Sequence, residues 1–333
     1  MSEQILVAGP AWVGDMVMTQ SLCITLKEQN PDAHIDILAP AWSIPVIERM
    51  PQVRRGVELS TVHGELGWKK RRTLAESLRS TGYTRALVLP RSAKAALVPW
   101  FAKIPVRTGY RGELRFGLIN DVRKLDKSVL TQTVQRFVAL GLPTNAHQPP
   151  EIVFPRLDIN QDNQTRLLDQ FALPADAPMI ALMPGAEYGP AKRWPTRHYG
   201  VLAKKLGAQG KRVLIFGSAK EQALGAEIAK YSPETAVNLC GKTQLADVID
   251  LLAKCESAVS NDSGLMHVAA AVNTPLVAIY GSSTPAYTPP LTDTVQILKR
   301  DVACAPCFER TCPLGHTLCL LQISVNDVLD RLS

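Results

Sequence analysis

The stretch Ile5-Leu-Val-Ala-Gly-Pro-Ala-Trp-Val-Gly-Asp15-Met-Val-Met-Thr19 decides the fold. Ile5 to Ala8 is short, apolar and uncharged, as a parallel strand buried on both faces must be. Gly9 and Gly14 then give the turn backbone freedom that a side chain forbids. The spacing Gly9-x4-Gly14 resembles a phosphate-binding P-loop, but that loop needs Lys and then Ser or Thr after its second glycine. Here Asp15-Met16 follows, and a carboxylate repels phosphate. The turn therefore suits an acid or base beside a hydroxyl-bearing substrate. A plain helix cap is the competing reading of Asp15.

Outward from this turn, the helical Ser21 to Gln29 and the strand-like Ile35-Asp-Ile-Leu-Ala39 complete a βαβ unit. Glu76 to Arg79 reads as helix and Ala86-Leu-Val-Leu-Pro90 as strand, so the alternation predicts a parallel sheet covered on both faces. Met179-Ile-Ala-Leu-Met-Pro-Gly185 starts again in the same manner. Arg212-Val-Leu-Ile-Phe-Gly217, Ser257 to Ser260 and Pro275-Leu-Val-Ala-Ile-Tyr-Gly281 add further strands, each stopping where a ligand can approach a carboxyl end. Two nucleotide-fold halves are expected. The first spans 1–160, a proline-rich linker 161–178, the second half 179–319, and a C-terminal helix 320–333.

A length of 333 residues and 46% hydrophobic content suit two cores. No run approaches the roughly 18 apolar residues of a membrane span, and Met1-Ser-Glu-Gln leads straight into a strand, so a cytoplasmic protein is expected, with its seven cysteines reduced. The net charge of +7 is uneven: residues 1–150 hold 20 Lys and Arg against 12 Asp and Glu, and the remainder hold 17 against 18. The first half must face something acidic. Lys69-Lys-Arg-Arg72 and the segment from Arg107 to Arg115 carry much of the excess. They lack the aromatic interleaving of a nucleic-acid reader, which favours loops for phosphorylated small groups and excludes nucleic acid as the partner. Ala95 to Ile104, with Trp100 and Phe101, is expected to pack in a core rather than touch a membrane.

Ser260-Asn-Asp-Ser-Gly-Leu-Met-His267 places a strand end against a helix start, where free amides and the helix dipole make an anion site. Ser263 and Gly264 would offer amides to a diphosphate. His267, one turn on, would donate to a phosphate or leaving group. Lys192, in the loop from Gly185 to Pro195, would offset charge building on a departing phosphate. Glu221, after Gly217-Ser-Ala-Lys220, suits ribose hydroxyls, or else the first turn of the next helix.

These motifs, together with Pro90-Arg-Ser-Ala-Lys94 and Arg107-Thr-Gly-Tyr-Arg-Gly-Glu113, resemble those of the lipopolysaccharide heptosyltransferases of glycosyltransferase family 9. The resemblance covers nearly the whole chain. It implies an α/β protein of GT-B architecture, with two Rossmann-like doubly wound domains across a cleft and a C-terminal helix returning to the first. It also implies inverting, metal-independent transfer of L-glycero-D-manno-heptose from ADP-heptose, a co-substrate, to the first heptose of the inner core. No cofactor is expected. The resemblance puts the general base on Asp15, the phosphate-neutralising cation on Lys192, and the donor loop on Asp262, Ser263, Gly264 and His267, with Asp262 on heptose hydroxyls. Lys94, Arg107 and Arg111 become acceptor-side residues, facing a phosphorylated heptosyl-Kdo-lipid A at the inner face of the cytoplasmic membrane. Another family 9 enzyme, a sugar-nucleotide epimerase or a non-catalytic binding protein on the same scaffold are the alternatives.

Cys304-x2-Cys307-x4-Cys312-x6-Cys319, with His316 inside, has ligands enough for tetrahedral zinc, but the spacing departs from the usual paired arrangement. A buried structural knot without metal is expected, with zinc and a redox-labile thiol cluster as the other readings.

Overall fold

The computed structural model describes residues 2–61, 65–174 and 176–332. The chain divides into two compact units, Met1–Pro155 and Arg156–Ser333. In the first, β1 (Gln4–Ala8), β2 (His34–Ala39), β3 (Arg55–Glu58), β4 (Arg85–Val88), β5 (Val106–Tyr110) and β6 (Asp121–Arg123) form one sheet in the order 3-2-1-4-5-6. Every pairing is parallel. This is the strand order of the dinucleotide-binding fold, with its switch point between β1 and β4.

Ile5, Leu6 and Val7 are wholly buried, as their composition predicts. The helix Val13–Gln29 returns along the sheet and packs on the helix Thr133–Gly141. Gly141 permits that approach, since a Cβ there would lie 2.5 Å from Leu22 Cδ1. A buried charge interrupts this apolar sheet: Asp36 of β2 is 0% exposed. Arg54 holds both its carboxylate oxygens at 2.8 Å, and Tyr83 donates its hydroxyl, so the buried charge is compensated.

In the second unit, β7 (Met179–Met183), β8 (Arg212–Ile215), β9 (Ala236–Asn238), β10 (Ser257–Asn261), β11 (Leu276–Ile279) and β12 (Val295–Leu298) repeat the pattern. Their order, 12-11-10-7-8-9, is the first sheet's order read from the other edge, again all parallel. The two halves expected from the sequence are thus both present, and the switch point here lies between β7 and β10.

Three expectations are corrected. The stretch 161–178 is not a free linker: Gln161–Gln170 is a helix docked on the helix Leu245–Lys254, with Asn163 Nδ2 donating to Asp250 Oδ2 at 2.7 Å and Arg166 paired with Asp247. The C-terminal stretch 320–333 is not one helix. It ends on Ser333, outside the described residues, and forms the short helices Leu318–Leu321 and Val325–Leu329. Leu320, Ile323 and Val328 join the core of the second unit, and Trp194 donates its indole N–H to the Ile323 carbonyl at 2.9 Å. The segment Ala95 to Ile104 is split: Val98 and Ile104 are core, whereas Trp100 is 41% exposed.

Candidate active site

At the switch point of the first sheet, the turn after β1 carries Asp15 into the first turn of the helix Val13–Gln29. Gly9 packs closely there: its N–H donates to the Leu38 carbonyl at 2.9 Å, and a Cβ would sit 2.7 Å from Met16 Cε. Trp42 Nε1 donates to the Ala11 carbonyl at 2.8 Å and pins the loop from β2. Asp15 is half-buried and held by contacts within the chain. A carboxylate at a helix start sits in the favourable end of the helix dipole.

Past β4 and β5, two loops are laced together. Arg115 is 5% exposed and donates to the carbonyls of Pro90, at 2.8 Å, and Tyr110. Glu113 accepts from the Ala93 N–H at 2.9 Å. Lys94 and Arg111 lie on these laced loops, and Arg111 is exposed. Arg107 does not join them as expected. It lies within β5 rather than in a loop, and its guanidinium donates to the carbonyls of Leu118 at 2.7 Å, Ile104 at 2.5 Å and Gly117 at 3.2 Å. With those donors on backbone carbonyls, Arg107 tethers the segment that follows β5.

At the switch point of the second sheet the side chains converge more closely. Lys192, in a turn of 3-10 helix after β7, places Nζ 2.5 Å from Asp262 Oδ2, just past β10. Ser283 donates its hydroxyl to the same oxygen at 2.5 Å. Asp262 is 5% exposed, so its negative charge is held by one cation and one hydroxyl in a poorly hydrated place. Lys192 also lies over the Tyr188 ring, 5.0 Å from its centre. Tyr188 in turn donates to the Phe308 carbonyl at 2.5 Å.

The helix Gly264–Ala271 starts immediately beyond. Ser263 is its N-terminal flanking residue and does not cap it with its side chain. The Ser263 side chain thus leaves the first-turn amides uncapped. His267 lies inside this helix, buried. Desolvation pushes its imidazole down to about 4, against the attraction of Asp262 and with the repulsion of Lys192. It is therefore neutral near pH 7, with one N–H to give and no positive charge.

Glu221 behaves as the helix residue that was the second reading. Its Oε2 accepts from the Ser218 N–H at 2.8 Å and the Ser218 hydroxyl at 3.0 Å, a capping box. It also packs over Gly185, where a Cβ would lie 1.9 Å from Oε1. Its Oε2 is thus engaged in the local fold, the first-turn role that the sequence offers as the other reading.

Sequence reading passed over Asn261, the last residue of β10. Its Oδ1 accepts from the Trp194 N–H at 3.0 Å and the Tyr199 hydroxyl at 3.1 Å, and its Nδ2 donates to the Pro184 carbonyl at 2.7 Å. Fully buried, it ties both ends of the Lys192 loop to the strand that carries Asp262. Its signal was present: an amide with both donor and acceptor at the carboxyl end of an apolar strand. Ser283 gave no such signal, because only the fold brings β11 beside β10.

The buried-knot expectation for the cysteines is corrected too. All are free thiols; Cys319 is buried, but Cys304, Cys307 and Cys312 are only half-buried. The backbone N–H of Thr317, with those of Leu314, Gly315 and His316, draws the Cys312 thiol below its ordinary range against desolvation.

The family model for glycosyltransferase family 9 (heptosyltransferase) matches residues 71–318. Lipopolysaccharide heptosyltransferase 2 of Escherichia coli K12 is 45% identical over 339 residues, spanning 99% of this chain and 97% of that one. Lipooligosaccharide heptosyltransferase 2 of Haemophilus influenzae is 45% identical over 306 residues, spanning 89% and 88%. The solved structure of E. coli ADP-heptose lps heptosyltransferase II superposes with a TM-score of 0.88 at 42% identity, covering 99% of this chain and 97% of that one. The paired Rossmann-like sheets, and this likeness to a GT-B enzyme over the full length, place the fold in the GT-B class. The chain belongs to glycosyltransferase family 9, the heptosyltransferases.

Proposed function

We propose that this glycosyltransferase moves L-glycero-D-manno-heptose from ADP-heptose to the first heptose of the lipopolysaccharide inner core, inverting the anomeric centre. The observation that carries the reading is the cation, carboxylate and helix start gathered at one switch point: Lys192, Asp262 and the Gly264–Ala271 helix. The amides of Ser263 and Gly264 receive the diphosphate, and Asp262 takes the heptose hydroxyls. The acceptor oxygen bonds to the anomeric carbon as the bond to the diphosphate oxygen breaks. ADP leaves with that electron pair, Lys192 offsets its charge, and the acceptor proton passes to the Asp15 carboxylate. His267, neutral, contributes an N–H at most. The reading assigns no role to a cofactor or catalytic metal.

Lys94 and Arg111 receive phosphate on the acceptor, while nucleic acid has no part. A lipid-bearing acceptor also requires contact with the inner face of the cytoplasmic membrane. Support comes from Trp68 and Trp100, 48% and 41% exposed, each ring packed on Phe101 at 4.8 and 4.9 Å between centres. Exposed Lys69, Lys70 and Lys103 surround them, the composition of an interfacial surface.

The test is ADP release from ADP-heptose, compared with UDP- and GDP-sugars, on core acceptors bearing no heptose or one. Release with ADP-heptose on the mono-heptosylated acceptor alone is expected. Preference for the heptose-free acceptor would move the assignment to a sibling activity, and tight ADP binding without any release would leave a binding protein.

A further inference from the structure

Between β12 and the helix Leu318–Leu321 the chain runs for some twenty residues without regular secondary structure. It buries little: Phe308 and Leu314 are 49% and 61% exposed. Two of its non-glycine residues, Phe308 and Thr317, hold left-handed backbone at φ 59° and 46°, a conformation that needs support from its surroundings. Yet this segment braces the donor site. Arg310 accepts from the Ala191 N–H at 3.0 Å, Phe308 accepts from the Tyr188 hydroxyl, and the Phe308 N–H donates to Ser282 at 2.7 Å. Gly189 lies so close that a Cβ would meet the Arg310 carbonyl at 2.3 Å. Lys192 and Ser283, the two partners of Asp262, each stand one residue beyond these anchor points.

The segment has one concentrated resource. Cys304, Cys307, Cys312 and Cys319 line a single cavity of about 20 Å³, together with His316, Ala191 and Ser282. That is room for one atom-sized guest, since a water needs about 10–15 Å³. Four thiols lining one such space are, in number and kind, the donor set of a closed site for a thiophilic divalent ion. His316 is not required, and its Nδ1 already accepts from the Leu318 N–H at 3.1 Å. As the side chains stand, no three His, Cys, Asp or Glu among the described residues are arranged as a ligand set. Three of the four thiols sit on irregular, half-exposed backbone, where a χ1 change redirects the sulfur.

We propose that Cys304, Cys307, Cys312 and Cys319 bind one zinc ion, which clamps this segment and through it the Lys192 loop. Binding exchanges four thiol protons for four zinc–sulfur bonds, so the site is closed, has no position for substrate and takes no part in the transfer step. The inference stands apart from the assignment of donor and acceptor, because its first readout is metal content.

The full-length chain, purified under reducing conditions without chelator and reconstituted with zinc, is expected to carry one zinc per chain by elemental analysis. A Cys304→Ser/Cys307→Ser variant should carry none. Cobalt should give the intense visible bands of a tetrahedral thiolate complex in the parent chain and not in the variant. Chelation of the parent protein should make all four thiols reactive, lower the melting temperature and raise the ADP-heptose KM several-fold, and added zinc should reverse each change. Four thiols that react freely in the zinc-reconstituted parent protein, with sub-stoichiometric metal and no cobalt bands, would overturn the site. Because that outcome is read on the parent chain, a variant that fails to fold leaves the test intact.

Discussion

Asp15 and Asn261 act at the two switch points by different physics, and single substitutions separate them. Asp15 is proposed to take a proton, so Asp15→Asn keeps the shape and removes the basicity. Turnover should fall by roughly 10²–10⁴-fold, the usual contribution of a general base, while ADP affinity stays nearly constant. Single-turnover ADP release alongside calorimetric ADP binding checks both, and an active Asn variant would remove Asp15 from the mechanism. Asn261 touches only protein. Asn261→Ala strips the Trp194 N–H, the Tyr199 hydroxyl and the Pro184 carbonyl of a buried partner at once. Each orphaned group is worth about 1–3 kcal/mol, partly recovered by relaxation. Denaturant unfolding should show a loss of at least about 2 kcal/mol, and the ADP-heptose KM should rise with it as the Lys192 loop loosens.

Among the elements, the helix Gly264–Ala271 carries its own pH signature. His267 titrates at about 4 in the folded chain because burial disfavours its cation, and near 6.5 once unfolded. The unfolded chain therefore binds the extra proton between those values, and the contribution of His267 to stability, full above pH 6.5, is lost as the pH falls toward 4. The loss is bounded at about 3 kcal/mol. Melting curves from pH 7.5 to 4.5 on the parent chain and on His267→Gln should diverge downward for the parent, and parallel curves would place the proton sensitivity elsewhere. The same helix explains what the sequence could reveal. Its strand, β10, and the interior strands β1, β2, β4, β7, β8 and β11 are largely apolar runs ending at glycine, proline or a polar motif, so their positions were readable. The edge strands β3, β6, β9 and β12 are short and partly exposed, and their residues look like loop until a neighbouring strand accepts their hydrogen bonds. The interior strand β5 was hidden for a different reason: its Gly- and Arg-rich sequence reads as a loop, whereas three carbonyls nearby accept from the Arg107 guanidinium. For Glu221, only the fold shows that its carboxylate closes a cap.

At the scale of the whole molecule, the charge divides between the two halves of the chain while the fold repeats. Both units use the same strand order, so the sheets themselves cannot distinguish their ligands; the excess of eight positive charges in the first 150 residues, against a near balance in the rest, can. A phosphorylated acceptor captured by exposed lysines and arginines is steered over distances comparable to the Debye length, which shrinks from about 30 Å at 0.01 M ionic strength to about 8 Å at 0.15 M. The proposed donor site consists instead of a half-buried lysine, helix amides and a buried carboxylate, which salt screens far less. Raising ionic strength over that range should therefore increase the acceptor KM several-fold and shift the ADP-heptose KM little. Lys69→Glu/Lys70→Glu should flatten the acceptor response and reduce co-sedimentation with anionic phospholipid vesicles, while leaving turnover on a soluble, delipidated acceptor near the parent value. Equal salt dependence for donor and acceptor would mean that the basic half does not select the acceptor, and the charge asymmetry would then need a partner other than the substrate.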